Sequence, residues 1–356
     1  MKPASAKLVL EDGTVFEGMS FGHASSRAGE VVFNTGMVGY PESFTDPSYE
    51  GQILALTYPL VGNYGVPAKG KTAGIENFFE SGKIHISGLV VADYSSTYSH
   101  WNAKKSLGEW LVEEKIPAIT GIDTRALTKK LREKGVMLGK IVVDKDVQFF
   151  DPNTENLVAN VSRKSMQHFS GKGKKIAMID CGAKNNILRS LLQRGLDVTV
   201  VPWDCDIFAE KIDFDGLLIS NGPGDPKQCI ATINTIKKSL ENEIPTLGIC
   251  LGNQLLALAV GADTYKLKYG HRSQNQPCVM AGTKKCFITS QNHGFAVNAK
   301  TLPKSWGEWF VNANDGSNEG IRHKTKPFFS VQFHPEATPG PVDTAFLFDE
   351  FVKGLK

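Results

Sequence analysis

The run Pro245-Thr246-Leu247-Gly248-Ile249-Cys250-Leu251-Gly252-Asn253-Gln254, continuing as Leu255-Leu256-Ala257-Leu258-Ala259-Val260, permits few local folds. A short apolar stretch meets a cysteine, and an apolar helical pattern follows at once. Gly248 and Gly252 flank Cys250 two residues away on either side. That spacing predicts a nucleophile elbow, a sharp strand-to-helix turn that lifts the reactive atom while small neighbours keep its approach open. A helix N-terminus, with unpaired N–H groups and a favourable dipole, suits a nucleophilic thiolate. The alternative for this stretch alone is a buried structural cysteine on a parallel strand.

The surrounding chain supports an α/β architecture. Its 356 residues suggest about two domains. From position 175 the pattern alternates: KIAMID predicts a strand, 185–194 a helix stopped by Gly195, DVTVV a strand and GLLIS another. The turn Asn221-Gly222-Pro223-Gly224-Asp225-Pro226, a helix over 230–240 and the strand into Cys250 follow. Such alternation means parallel βαβ units, with functional loops at the carboxyl ends of the strands. Beyond Gly261 come short strands in CFITSQNHGFAV, WFVNAN and FFSVQFHPE, and an amphipathic helix over 344–355.

The first part reads differently. Residues 7–17 predict a hairpin turning at Asp12-Gly13. Strands are expected at 29–33, 53–57 and 86–91, and helices at 106–114 and 123–134, the second ended by Gly135. The expected organisation is a mixed α/β domain over 1–150, a polar, turn-rich linker over 151–173, and a doubly wound, mainly parallel-sheet domain over 174–356.

A net charge of +3 with 22% charged residues argues for neither a nucleic-acid nor a membrane partner. No apolar run reaches membrane-spanning length. The opening MKPASAKLVLEDGTVFEG lacks an apolar targeting core and starts a strand almost at once, so no targeting peptide is expected. All six cysteines (181, 205, 229, 250, 278 and 286) lie in the second half, none spaced as C-x-x-C or with histidine as in a zinc site. Free thiols in a reducing, cytoplasmic setting follow as the expectation, with no metal and no cofactor.

The second informative stretch is Phe328-Phe329-Ser330-Val331-Gln332-Phe333-His334-Pro335-Glu336. His334 and Glu336, two apart in an extended segment, can point the same way, and Pro335 keeps that segment from turning helical. A nucleophilic cysteine needs a base to take its proton and return it to the leaving amine. The base needs a partner to hold its tautomer and stabilise the imidazolium. His334 and Glu336 suit those roles. Leu251 N–H, next after the nucleophile, is the first candidate oxyanion donor. Gly222 and Gly224 allow a second to approach, whereas Pro223 has no N–H to give.

Together GICLGNQ, NGPGDP, TSQNHGFAV and VQFHPE resemble the class I (triad) glutamine amidotransferases. The first half, with GEVVFNTGMVGYPESFTDPSYEGQILALTYP and GIDTRALTKKLREKG, resembles the N-terminal domain of carbamoyl-phosphate synthetase small chains, and DPSYEGQIL and NQPC are closest in wording to the eukaryotic ones. The resemblance implies a glutaminase in which Cys250, His334 and Glu336 form the triad. L-glutamine would be bound by Ser48, Gly222, Gly224, Leu251, Gln254, Asn292, Gly294 and Phe295. Ser48, from the DPSY loop, would make the site draw on both domains; its alternative is a local turn hydrogen bond. The implied partner is a synthetase large subunit or a fused synthetase domain, because this sequence has no Walker A loop of its own. One position departs from the family: C-L-G-H-Q reads here with Asn253 in place of histidine. Two other readings share these residues, a stand-alone cysteine hydrolase and a catalytically weak regulatory domain of an ammonia-using synthetase.

Overall fold

The computed structural model describes residues 4–355. The chain divides into two compact units, one ending at Glu155 and one beginning at Asn156. Among the described residues, no helix is long and apolar enough to cross a membrane.

The first unit is built on a closed seven-stranded barrel. Around it run Ser5–Leu10, Met137–Val142, Arg27–Asn34, Gln52–Leu56, Gly88–Val90, Ala118–Thr120 and Val15–Ser20, the last pairing back to the first. The expected hairpin is there, its strands paired from Ser5↔Met19 to Val9↔Val15. Arg27–Asn34, Gln52–Leu56 and Gly88–Val90 are parallel neighbours, buried along most of their length. Val32, Leu54 and Leu89 pack with Phe44, Leu107, Trp110 and Leu111 in one apolar cluster. The helix Leu107–Glu113 starts at a capping box in which Ser106 and Glu109 satisfy each other's backbone N–H groups. Thr124–Lys134 is capped by Asp123, buries Leu127 and Leu131, and stops at Gly135, whose φ of 105° favours glycine.

The second unit is a ten-stranded sheet. Its five central strands run parallel in the order Asp197–Pro202, Lys175–Asp180, Gly216–Ile219, Thr246–Ile249, Phe328–Val331. Gly216–Ile219, Thr246–Ile249 and Phe328–Val331 are buried at every residue, as strands covered on both faces must be. Ile179, Leu217 and Ile219 pack with Leu251, Leu255 and Leu256 of the helix Leu251–Ala259.

Two features depart from the sequence reading. Residues 151–173 carry a helix, Leu157–Val161, and a strand, Gln167–Phe169, which pairs antiparallel with Asp197–Pro202 at the sheet edge. Polar, turn-rich composition does not register a three-residue edge strand. The stretch beyond Gly261 holds one 18-residue strand, Asp263–Met280, paired with Cys286–Asn298. These two, with Trp306–Asn312 and Asn318–His323, extend the parallel sheet as an antiparallel wing. Interrupted register along the long hairpin is why its sequence lacks sustained alternation.

Candidate active site

Cys250 stands between the strand Thr246–Ile249 and the helix Leu251–Ala259 with φ 55° and ψ −102°. A non-glycine residue at positive φ is strained and persists only where its surroundings enforce it. The flanking glycines show how. A Cβ on Gly248 would lie 2.4 Å from the Gly252 carbonyl oxygen, and one on Gly252 would lie 2.3 Å from that of Ile219. Cys250 N–H donates to the Val331 carbonyl at 2.8 Å, and Gly252 N–H to that of Ser220 at 3.1 Å. The turn is thus clamped between neighbouring parallel strands.

The predicted partners converge on it. His334 and Glu336 follow the adjacent strand Phe328–Val331, and His334 Nδ1 lies 2.6 Å from Glu336 Oε1. Both are buried. Burial alone would lower the proton affinity of His334, but the Glu336 carboxylate, with help from Cys250, raises its pKa to about 10. Glu336 is held down to about 2 against the cost of burial, chiefly by Lys184 and also by His334. Lys184 Nζ, itself buried, sits 3.1 Å from Glu336 Oε1 and also donates to the Ala337 carbonyl. The carboxylate thus makes His334 a stronger base than a free imidazole, with its Nε2 buried.

The remaining predicted residues sort by element. Leu251 opens the helix, so its N–H has no intrahelical acceptor. Gly222 packs against it: a Cβ there would lie 2.8 Å from Leu251 Cδ2 and 2.1 Å from the Cys181 carbonyl oxygen. This brings the NGPGDP turn to the elbow, and Gly224 supplies its positive φ of 84°. The Asn292 carbonyl accepts the Cys250 thiol hydrogen at 3.7 Å. Gly294 and Phe295 continue that strand, and Gln254 Nε2 donates to the Phe295 carbonyl at 3.0 Å. Ser48 lies buried in the other unit, in a 3-10 turn where Asp46 Oδ1 accepts its N–H at 2.9 Å. Asn253 is fully buried, donating to Gln332 Oε1 at 3.0 Å and accepting from Ser330 Oγ at 2.8 Å.

Sequence reasoning passed over Lys184, Gln332 and His293. Lys184 stands at the N-cap of the helix Asn185–Gln193, in the loop that follows the parallel strand Lys175–Asp180, where functional loops gather; that position was the available signal. His293, between Asn292 and Gly294, lies 2.8 Å from the Phe295 carbonyl, and burial together with the neighbouring His271 keeps it neutral. His271, His293 and Glu319 form the one group among the described residues with three donor atoms close enough to hold a metal. A proton accounts for it as well. His271 lies between Asp315 at 2.9 Å and Glu319 at 3.4 Å, and these carboxylates raise its proton affinity despite burial.

Residues 177–354 match the glutamine amidotransferase class-I family, and residues 8–141 match the carbamoyl-phosphate synthase small chain, CPSase domain. The chain is 54% identical over 356 residues to multifunctional protein CAD of Squalus acanthias, covering 98% of this chain and 16% of that one. It is 52% identical over 365 residues to the mitochondrial carbamoyl-phosphate synthase [ammonia] of Homo sapiens, covering 100% and 24%. It is 51% identical over 361 residues to the carbamoyl phosphate synthase arginine-specific small chain of Aspergillus oryzae, covering 99% and 80%. The chain thus spans about a sixth to a quarter of the larger relatives and four fifths of the small chain. With the elbow and its partners in the second half and the small-chain domain in the first, the chain belongs to the carbamoyl-phosphate synthase small-chain family and carries a class I glutamine amidotransferase domain.

Proposed function

We propose that this chain is the glutaminase component of a glutamine-dependent carbamoyl-phosphate synthetase, supplying ammonia to a synthetase subunit or domain. The observation that carries the reading is the intact constellation of Cys250 on a strained elbow, His334 within reach of Glu336, and Glu336 anchored by Lys184. In the first step Cys250 Sγ attacks the side-chain amide carbon of L-glutamine. The oxyanion is met by Leu251 N–H and by the backbone of the Gly222–Gly224 turn. His334, made a stronger base by Glu336, takes the thiol proton as the sulfur attacks and delivers it to the leaving nitrogen, and ammonia departs. Water then adds to the γ-glutamyl thioester with His334 as base, releasing glutamate and restoring the thiol. Glu336 keeps the ring oriented and its charge matched throughout. Gln254, Asn292, Gly294 and Phe295 frame the glutamine pocket within the second unit.

The six cysteines are free thiols, which supports placing the chain in a reducing compartment such as the cytoplasm. The regulatory reading draws on Asn253, yet the Asn253 side chain hydrogen-bonds to Gln332 and Ser330 and to no triad side chain. The test uses the chain assembled with its synthetase. Cys250→Ser is expected to abolish carbamoyl phosphate synthesis from glutamine and to leave synthesis from added ammonia intact. Equal loss with both nitrogen sources would instead assign Cys250 to assembly.

A further inference from the structure

We infer that Gln332 is a further catalytic group at this site, donating an amide N–H to the Cys250 sulfur and held in that orientation by a chain of amides that includes Asn253. The inference rests on the reading of Cys250 as the glutaminase nucleophile. Gln332 is completely buried, and its side-chain orientation follows from an acceptor that cannot be reversed. The Phe295 carbonyl only accepts, so the Gln254 atom 3.0 Å from it is the amino nitrogen. That same nitrogen lies 3.2 Å from Gln332 Oε1. Asn253 Nδ2 donates to the same oxygen at 3.0 Å, while Asn253 Oδ1 accepts the Ser330 hydroxyl at 2.8 Å. With two donors on its oxygen, Gln332 presents Nε2 to Cys250 Sγ at 3.7 Å. Its backbone is fixed too, Gln332 N–H donating to the Glu319 carbonyl at 2.9 Å.

An N–H aimed at sulfur is weak while the sulfur carries its proton and strengthens when it becomes an anion. It therefore favours the form that attacks glutamine, and again the thiolate that leaves when water cleaves the thioester. Unlike His334, an amide does not titrate, so this support persists across the working pH range. The chain also gives Asn253 a task upstream of the sulfur: it fixes which end of the Gln332 amide faces Cys250.

The test uses the full chain with iodoacetamide and L-glutamine as probes. Gln332→Met fills the space without a donor, and Gln332→Glu keeps the acceptor oxygen for Asn253 and Gln254 but turns an oxygen towards the sulfur. In both, glutamine-protectable alkylation of Cys250 and kcat should fall at least about tenfold. Glutamine affinity, measured by placing each variant in a Cys250→Ser background, should change less than about twofold, which separates action on the sulfur from damage to the pocket. If Gln332→Met does not fold, Gln332→Glu decides. Native chain whose Cys250 alkylation ignores glutamine overturns the glutaminase reading and this inference with it. Native protection together with unslowed alkylation in a folded variant overturns this inference alone.

Discussion

In the barrel unit, the parallel strands Arg27–Asn34, Gln52–Leu56 and Gly88–Val90 are buried along most of their length, and they pack into a continuous aromatic and aliphatic cluster around Phe44, Leu54 and Trp110. The parallel strands of the second unit are equally apolar along their length. At their carboxyl ends, however, they run into buried Asp180, Ser220, Asn221, Cys250, Gln332 and His334. Both units solve the same packing problem; the second gathers a larger set of buried polar side chains where its parallel strands end, against Asn34 at the end of Arg27–Asn34 in the first. The difference lies in closure. A barrel distributes its strand ends around a rim, whereas an open sheet with helices on its faces directs the ends of adjacent parallel strands to one crevice. There, hydrogen bonds from Gly252 N–H to the Ser220 carbonyl and from Cys250 N–H to the Val331 carbonyl can hold a strained residue in place.

The contrast is tested most severely by His334→Asn. Glutamine hydrolysis should fall roughly 10⁴-fold, the scale on which triad members act, while the barrel unit keeps its native hydrogen-exchange protection. Loss of protection in the barrel would mean that the two units do not divide structure from chemistry as described. Glu336→Gln should cost less than His334→Asn, because an acceptor for His334 Nδ1–H remains while the charge opposite Lys184 is gone. Since Glu336 is what raises the His334 pKa against burial, the alkaline limb of the activity profile in this variant should move to lower pH. A limb that stays in place would assign the limb to another group.

Gly252→Ala examines the clamp. With a Cβ placed 2.3 Å from a backbone oxygen, the elbow must shift, and a loss of about 2–3 kcal/mol in denaturant unfolding of the second unit is expected. Stability against pH gives a finer separation. His334 has a raised folded-state pKa, so its contribution is complete below its unfolded value of 6.5 and is lost as pH rises towards about 10. Glu336 has a lowered one, so its contribution is present above 4.5 and is lost as pH falls towards about 2. Protection of the Phe328–Val331 strand should accordingly be greatest between those unfolded values and decline on either side. Protection that rises steadily through pH 9 would contradict the ion pair.

The smallest effect is expected for Asn253→His. A neutral imidazole offers one donor and one acceptor, the same pair that Asn253 presents to Gln332 and Ser330. Glutaminase activity should stay within about threefold, below the 1.4 kcal/mol of a tenfold change. A large gain would show that asparagine weakens the site and would favour the regulatory reading.

The sequence by itself determined the elements whose cause is local. The hairpin at Asp12-Gly13, the capped helix ending at Gly135 and the elbow about Cys250 were all legible, because turn chemistry, periodicity and glycine spacing act over a few residues. His334 and Glu336 were legible as a pair because two residues apart in an extended segment is also a local relation. Only the tertiary structure decided what stands beside that pair. Lys184 lies more than a hundred residues from Glu336 in sequence, and parallel pairing of neighbouring strands is what brings their ends together. The same holds for Asn253, whose place in the motif suggested a departure from a family pattern. Its role became visible through partners on a strand nearly eighty residues away. Orientation of a buried amide is set by every donor and acceptor around it at once, and no window of sequence contains them all.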